Sequence, residues 1–152
     1  MVKSRVDNDL INVPLKLKVR FDYRGVTKPK GIFFSSKNIE SAAEEAREHK
    51  AALLRNVPFQ GIQIEDIETS THPYTVVEGN NTTPVAYAPV IVTITAEAIE
   101  DVVRFIMRDE FRKVEVVEPD TMELSKQDIE RFLFRANEEL RGIRSQMERR
   151  GD

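Results

Sequence analysis

The sequence predicts an α+β fold in which strands alternate with amphipathic helices. Residues 15–23 alternate between apolar and charged side chains, which is the period of a half-buried strand. Residues 90–95 are mostly β-branched and favour a second strand. Residues 98–106 carry apolar side chains at spacings of three and four, which indicates a helix, and valine-rich residues 114–117 predict another strand. This strand–helix–strand unit is the part around which we arrange the rest of the chain.

The N-terminal third supplies a first strand and a first helix. Residues 1–13 are polar and mixed in charge, and we expect a flexible arm. After the alternating strand, a stretch rich in Gly, Pro and Lys predicts a turn that leads to a short returning strand at 32–34. A helix capped by Ser35 or Ser36 should end before Pro58, because a proline pushes the preceding residue out of the α region.

Two local signals refine the middle of the chain. Residues 61–68 form a predicted strand whose alternation slips at Glu65 and Asp66, which indicates a β-bulge. Thr95 stands directly before the second helix and is a candidate N-cap.

The stretch at residues 69–88 separates two predicted strands and is open to two interpretations. Residues 74–77 and 85–87 could pair as a hairpin, with Gly79 at a tip that favours positive φ. Alternatively the stretch is a long irregular loop, and loops of that length are often functional.

The C-terminal helix, residues 125–148, carries the most specific pattern in the chain. Ser125 and Asp128 approximate a capping box with Asp in place of Glu. The apolar residues that follow repeat at alternating spacings of four and three, as in a coiled-coil seam, and Phe132 widens the start of this seam. We call this set the apolar seam; it comprises Ile129, Leu133, Ala136, Leu140, Ile143 and Met147.

The element order βαββαβ predicts a ferredoxin-like arrangement within this class. In that arrangement a four-stranded antiparallel sheet carries two helices on one face. Residues 69–88 would then be a hairpin or loop insert, and the helix at 125–148 would be an extra element. We treat residues 1–152 as a single domain, since this length is typical of one.

Composition restricts the possible functions. The chain has no cysteine, which removes thiol chemistry and zinc–thiolate sites and is compatible with a reducing compartment. Its 23 basic and 26 acidic residues are interspersed, which argues against a dedicated surface for polyanions. We find neither a signal peptide nor a membrane-spanning run, so we expect a cytoplasmic protein without a membrane partner.

Histidine chemistry has weak support. His72 follows Glu65, Asp66 and Glu68 by a few residues, and such a group could hold a metal or act as an acid–base pair. The more ordinary interpretation is a surface histidine in a loop, and His49 is interpreted in the same way on its helix. We therefore assign no catalytic residue, no metal ligand and no cofactor.

Nucleic-acid and phosphate binding are also disfavoured. Gly25 and Gly31 lack the spacing of a phosphate-binding loop. Phe21 and Tyr23 share the core-facing phase of their strand and are not available to stack bases on an open sheet. The basic residues that could still touch a phosphate backbone are Lys16, Lys18, Arg20, Lys28 and Lys30.

The first functional hypothesis is a non-enzymatic homo-oligomeric module that associates through the apolar seam. Two predicted helices already supply apolar faces for one side of the sheet, so a third stripe favours a partner. Packing of the seam on the protein's own sheet is the competing interpretation. A small-molecule sensor domain, with its ligand at a subunit interface or under residues 69–88, is the alternative function. An enzyme that uses His72 ranks below both.

Overall fold

The computed structural model describes residues 1–26, 36–77, 79 and 83–150 of the chain. It confirms the α+β class, with a mostly antiparallel five-stranded sheet, a two-stranded sheet and three helices in the described residues. In chain order the elements are β1 (Val2–Val6), β2 (Asp9–Val13), β3 (Leu15–Arg24), α1 (Ser36–Asn56), β4 (Ile62–Glu68), β5 (Tyr74–Val77), β6 (Pro84–Ala96), α2 (Ile99–Ile106), β7 (Phe111–Glu118) and α3 (Lys126–Arg150).

The main sheet has the order β4-β6-β3-β7, and β5 pairs with the first half of β6. β3 and β6 therefore lie in the middle, where their alternating apolar residues face each other as Val19 with Val92 and Phe21 with Val90. All four of these side chains are fully buried. The predicted alternation of β3 is confirmed, because every second side chain from Leu15 points into this core.

Helical residues complete the core on the same side of the strands. Leu54 of α1 and Phe105 of α2 belong to one buried cluster with the apolar residues of β3 and β6. Phe105 meets Phe21 edge-on at a centroid distance of 5.6 Å and Phe59 at 5.3 Å. A buried aromatic of this kind contributes about 3–5 kcal/mol relative to alanine, so Phe105 helps to anchor the short helix α2, together with the buried Val102 and Val103.

The N-terminal residues differ from the expected flexible arm. Residues 1–13 contain an antiparallel hairpin, β1 with β2, closed by Asp7 and Asn8 at positive φ. Val2 is buried in the main core, and the Ser4 hydroxyl donates to the carbonyl oxygen of Thr121 at 2.7 Å. Local sequence patterns do not reveal this hairpin, because its partners lie far along the chain. Ser4 and Thr121, for example, are 117 positions apart.

The middle of the chain follows the prediction with one correction. The register of β4 shifts between Ile64 and Asp66, which confirms the bulge. The predicted cap at Thr95 is wrong: β6 continues to Ala96, α2 has Ala98 at its N-cap position, and the Thr95 hydroxyl donates to Glu65 at 2.6 Å. A hydroxyl in the sheet is satisfied across the strands, so it is not available to the helix.

The stretch at residues 69–88 is a hairpin in the part that the structure describes. Tyr74 pairs with Tyr87 and Val77 with Pro84, and Gly79 has a φ of 57°, as its position at the tip predicts. Arg47 of α1 ties the preceding connection to the helix by donating to the carbonyl of Thr71 at 2.5 Å. The strand predicted at 32–34 lies outside the described residues, as does Ser35, whereas Ser36 is the first residue of α1.

Gly61 fixes the start of α2 against the start of β4. Its φ is +74°, and a Cβ at this position would collide with the carboxylate of Asp101 in α2. The Gly61 carbonyl also accepts the N–H of Glu97 at 2.9 Å. Glycine is therefore favoured here by its backbone conformation, and any other residue would also displace the Asp101 side chain.

Candidate functional site

The C-terminal helix α3 is held to the rest of the protein by ion pairs to α2. Arg104 donates to Glu139 at 2.8 Å, Arg131 lies 3.3 Å from Glu100, and Arg135 lies 4.0 Å from Asp101. No residue of α3 is fully buried. One polar side of the helix is therefore attached to α2, and its apolar side is not part of the core.

These contacts explain two pKa shifts beside the helix. Burial raises the pKa of the Asp101 carboxyl, with Glu100 adding to the rise and Arg135 opposing it. The hydrogen bond to Glu139 raises the pKa of the Arg104 guanidinium. The arrangement is that of a partly desolvated network of both signs, which orients α3.

The predicted capping box starts α3. The Asp128 N–H donates to Ser125 Oγ at 3.1 Å, and the Ser125 N–H donates to an Asp128 carboxylate oxygen at 2.9 Å. The bond from the Ser125 N–H lowers the pKa of the Asp128 carboxyl, and the two reciprocal bonds satisfy two of the amides that a helix start leaves unpaired. The first turn of the helix is therefore fixed, which sets the direction of the seam.

The structure brings the predicted interaction residues to one side of α3 and leaves them largely open. The exposed fraction is 46% for Ile129, 60% for Leu133 and 50% for Leu140. Ile143 is 37% exposed and Met147 is 67% exposed, while Ala136 is half-buried. Within the described residues the seam is therefore not covered by this protein's own sheet.

Sequence reasoning missed Phe134 and placed Phe132 differently. Phe134 is 67% exposed on a side of the helix away from the seam, whereas Phe132 is half-buried. The heptad pattern alone does not assign Phe134 to the seam, because it lies next to the seam residue Leu133 in sequence and outside the seam positions. Its exposure became evident only from the placement of α2.

A second cluster lies on the polar face of the main sheet and surrounds Asp22. This carboxylate is only 2% exposed. It accepts two bonds from Arg20, at 2.8 and 3.1 Å, and one from the Tyr74 hydroxyl at 2.6 Å, with Arg112 at 3.9 Å. Arg112 also lies over the ring of Tyr87, which stacks with Tyr74. Burial, followed by the bond to Asp22, raises the pKa of the Tyr74 hydroxyl.

A cavity of about 440 Å³ lies at the end of β3, where β7 no longer pairs with that strand. Its wall includes Tyr23 and His49, so the exposed helical histidine borders a concave surface. The charged side chains of the lining carry both signs; they are Asp22, Arg24, Lys50, Asp109, Glu110 and Arg112.

The other predicted candidates are dispersed. The side chain of His72 is 80% exposed, and its Nε2 lies 3.7 Å from Glu40 of α1. Glu65 instead contacts Thr95 and Lys16. In the part of the chain that the structure describes, no three His, Cys, Asp or Glu side chains lie close enough to hold a metal ion.

The basic residues on the sheet pair with acids. Lys16 lies 3.5 Å from Glu65, and Arg20 binds Asp22. Lys18 stands opposite Glu115 in the register of β3 with β7. Lys28 and Lys30 lie outside the described residues.

No helix in the described ranges has the length and apolar character needed to cross a bilayer. Comparison with known protein families, with curated proteins and with solved structures finds no match for this chain.

Proposed function

We propose that this chain is a non-enzymatic module that forms homo-oligomers through the apolar seam of α3. The observation that carries the proposal is the seam's exposure, which reaches 60% at Leu133 and 67% at Met147. A continuous apolar stripe of this kind on a long helix is stabilised when a second apolar surface covers it. The function of such a module is self-association.

The way in which α3 is attached supports the proposal. Its ion pairs to α2 use Arg131, Arg135 and Glu139, all on the polar side of the helix. The protein's own packing therefore occupies that side and, apart from the half-buried Ala136, leaves the seam residues exposed within the described residues. A helix whose purpose was to complete the core would turn its apolar side inward.

The sheet order supports the finer description of the fold as ferredoxin-like. Without β5 and the N-terminal hairpin, the order β4-β6-β3-β7 follows the succession expected when two βαβ units interleave their strands. In this description α3 is an addition outside the two-layer core, which agrees with a role in assembly. We place the protein in the cytoplasm, which is the expectation from the sequence.

The test compares the size of the protein with that of a seam variant. The wild-type protein should sediment as a dimer or larger species at micromolar concentration. Leu140→Asp should become smaller without losing its circular dichroism signal, because Leu140 is half exposed before association and buried after it. An unpaired carboxylate in such an interface costs about 3 kcal/mol or more, over a hundredfold in Kd.

Ser145→Asp is the matched control, because it adds the same charge to an exposed position of α3 outside the seam. It should leave the subunit number unchanged. A wild-type protein that stays monomeric would overturn the proposal. A Leu140→Asp variant that melts at a much lower temperature without changing its size would show that the seam belongs to the core.

The cavity at the end of β3 favours a second candidate function, the binding of a small molecule. Its walls offer cations such as Lys50 and acids such as Asp109, a combination that suits a zwitterionic ligand such as a free amino acid. Addition of the common amino acids, one at a time, should then shift the NMR signals of Tyr23 and Tyr87. An unchanged spectrum across the series would exclude this ligand class.

A further inference from the structure

We infer that α3 associates with α3 of a second copy in antiparallel orientation, through the apolar seam. The inference rests on the proposed self-association and adds its geometry. Residues 126–139, which include every α3 residue in the ion pairs to α2, form the mounted half of the helix. Residues 140–150, all of them exposed, form its free half. Antiparallel pairing lays each free half along the mounted half of the other copy.

The space that a second helix needs is open. On the mounted half, Ile129 and Leu133 are 46% and 60% exposed, while Arg135 and Glu139 on another side of the helix are half-buried toward α2. Seen along the helix axis, the contact with α2 borders one edge of the seam, since Glu139 lies about 40° from Ile143 at 3.6 residues per turn. The other edge of the seam is exposed at Glu130 and Asn137, so a second helix can approach from that side without displacing α2.

The sizes of the seam residues match in the antiparallel register. Leu133 then meets Ile143 of the second copy, and Ile129 meets Met147. The small Ala136 meets the large Leu140, so each layer has a similar volume. In a parallel pair every residue meets its own copy, and the two alanines at position 136 would leave a gap that costs packing energy.

The charges on the open flank of the seam favour the same orientation. This flank carries Glu130, Asn137 and Arg144, all exposed. In an antiparallel pair, this flank of one helix lies along the same flank of the other helix. Glu130 of each copy then faces Arg144 of the other copy, and the two Asn137 side chains lie between these two pairs. On the other flank the two copies of Glu139 face each other, and each already accepts from Arg104 at 2.8 Å, which offsets their repulsion. A parallel pair would instead set Arg144 opposite Glu139, where it would compete with Arg104.

The absence of cysteine from the chain allows a direct test by disulfide trapping. Three single variants of the full chain are prepared: Ile129→Cys, Asn137→Cys and Met147→Cys. Under mild oxidation, Asn137→Cys should cross-link to itself, because it lies near the twofold axis. Met147→Cys should not, since antiparallel pairing places the two copies of residue 147 about 27 Å apart along the helix at 1.5 Å per residue. A disulfide needs Cα atoms within roughly 7 Å.

The mixture of Ile129→Cys with Met147→Cys gives the decisive result. We expect a disulfide between positions 129 and 147, identified by mass spectrometry of the cross-linked peptides. Self-cross-linked Met147→Cys, in a protein that sediments as an oligomer, would overturn the antiparallel orientation while leaving self-association intact. A protein that neither cross-links nor sediments above the monomer would overturn both this inference and the proposed function.

A charge exchange checks the result without cysteine. Glu130→Arg should weaken association several-fold, because it sets like charges opposite each other, and Arg144→Glu in the same chain should restore it. The two positions are too far apart on one helix to pair within a single copy, so rescue reports the contact between copies. Additive weakening in the double variant would contradict the antiparallel register.

Discussion

At the scale of single residues, Asp22 is a buried carboxylate that collects several donors. Arg20 binds it from the same strand, and the Tyr74 hydroxyl joins it to β5, which is not a neighbour of β3 in the sheet. Asp22 stabilises the fold only while its donors are in place, because a buried carboxylate without hydrogen bonds is costly. Removing Asp22 would in turn deprive each donor of a charge-assisted bond.

Asp22→Ala should lower the free energy of unfolding by about 2 kcal/mol, the usual effect of losing hydrogen bonds between charged groups. Asp109→Ala, at an exposed aspartate, is the control and should change it little. Urea denaturation provides the measurement. Combining Asp22→Ala with Tyr74→Phe should cost less than the sum of the two single effects, and strict additivity would contradict a shared network.

We expect Tyr23 to make the stability of the protein fall at alkaline pH. Burial raises the pKa of its hydroxyl to about 12 from 10.0. Above pH 10 the unfolded chain loses this proton while the folded protein keeps it, so the free energy of unfolding falls as the pH rises toward 12. The expected slope from this group is about 1.4 kcal/mol per pH unit.

Comparison with Tyr23→Phe isolates this contribution, because phenylalanine keeps the ring and removes the titrating group. Denaturation curves at several values between pH 9 and pH 11 should show a smaller loss of stability in the variant. Parallel curves for the two proteins would show that the Tyr23 hydroxyl is not buried.

At the scale of elements, β7 shows how an edge strand is kept from pairing wrongly. No described strand pairs with its outer side, and Val114 and Val116 are 38% and 49% exposed. Lys113 and Glu115 alternate with these valines, and the register of β7 shifts near both of its ends. Charges and bulges at an edge are the means by which sheets avoid adding a foreign strand.

Lys113→Val should therefore increase aggregation on prolonged incubation, measured as turbidity and thioflavin fluorescence. Lys18→Val removes the same charge from β3, whose two sides are already paired, and should aggregate more slowly. Equal rates for the two variants would mean that general hydrophobicity, rather than the open edge, controls the process.

At the scale of the whole molecule, the proposed assembly uses a part of the chain that lies outside the core. The core lies between β3, β6, α1 and α2. Residues 140–150 are all exposed, and they contribute to the proposed interface through the seam residues Leu140, Ile143 and Met147. A chain that stops after residue 139 keeps Glu139 and its bond to Arg104. Its thermal unfolding should shift by no more than a few degrees, since exposed residues contribute little to stability.

The same truncated chain should sediment as a monomer, because it lacks Leu140, Ile143 and Met147. A chain that stops after residue 148 keeps the seam and should associate like the full protein. Loss of the folded core in the shorter chain would contradict this separation of roles.

The sequence by itself determined the features whose partners lie nearby along the chain. The alternation of β3, the bulge at Asp66 and the capping box at Ser125 were predicted, and the hairpin of β5 with β6 was one of two alternatives, because period, turn chemistry and capping act over a few residues. The seam of α3 was predicted as a pattern for the same reason.

Only the tertiary structure decided the features that depend on distant residues. The N-terminal hairpin is held through Thr121, the Thr95 hydroxyl bonds to Glu65 and not to α2, and Asp22 gathers Tyr74 from another strand. It also decided that the seam of α3 faces away from the sheet in the described residues. Helical periodicity fixes which residues share a side, but which side meets the core depends on ion pairs with α2, whose residues lie about thirty positions earlier in sequence.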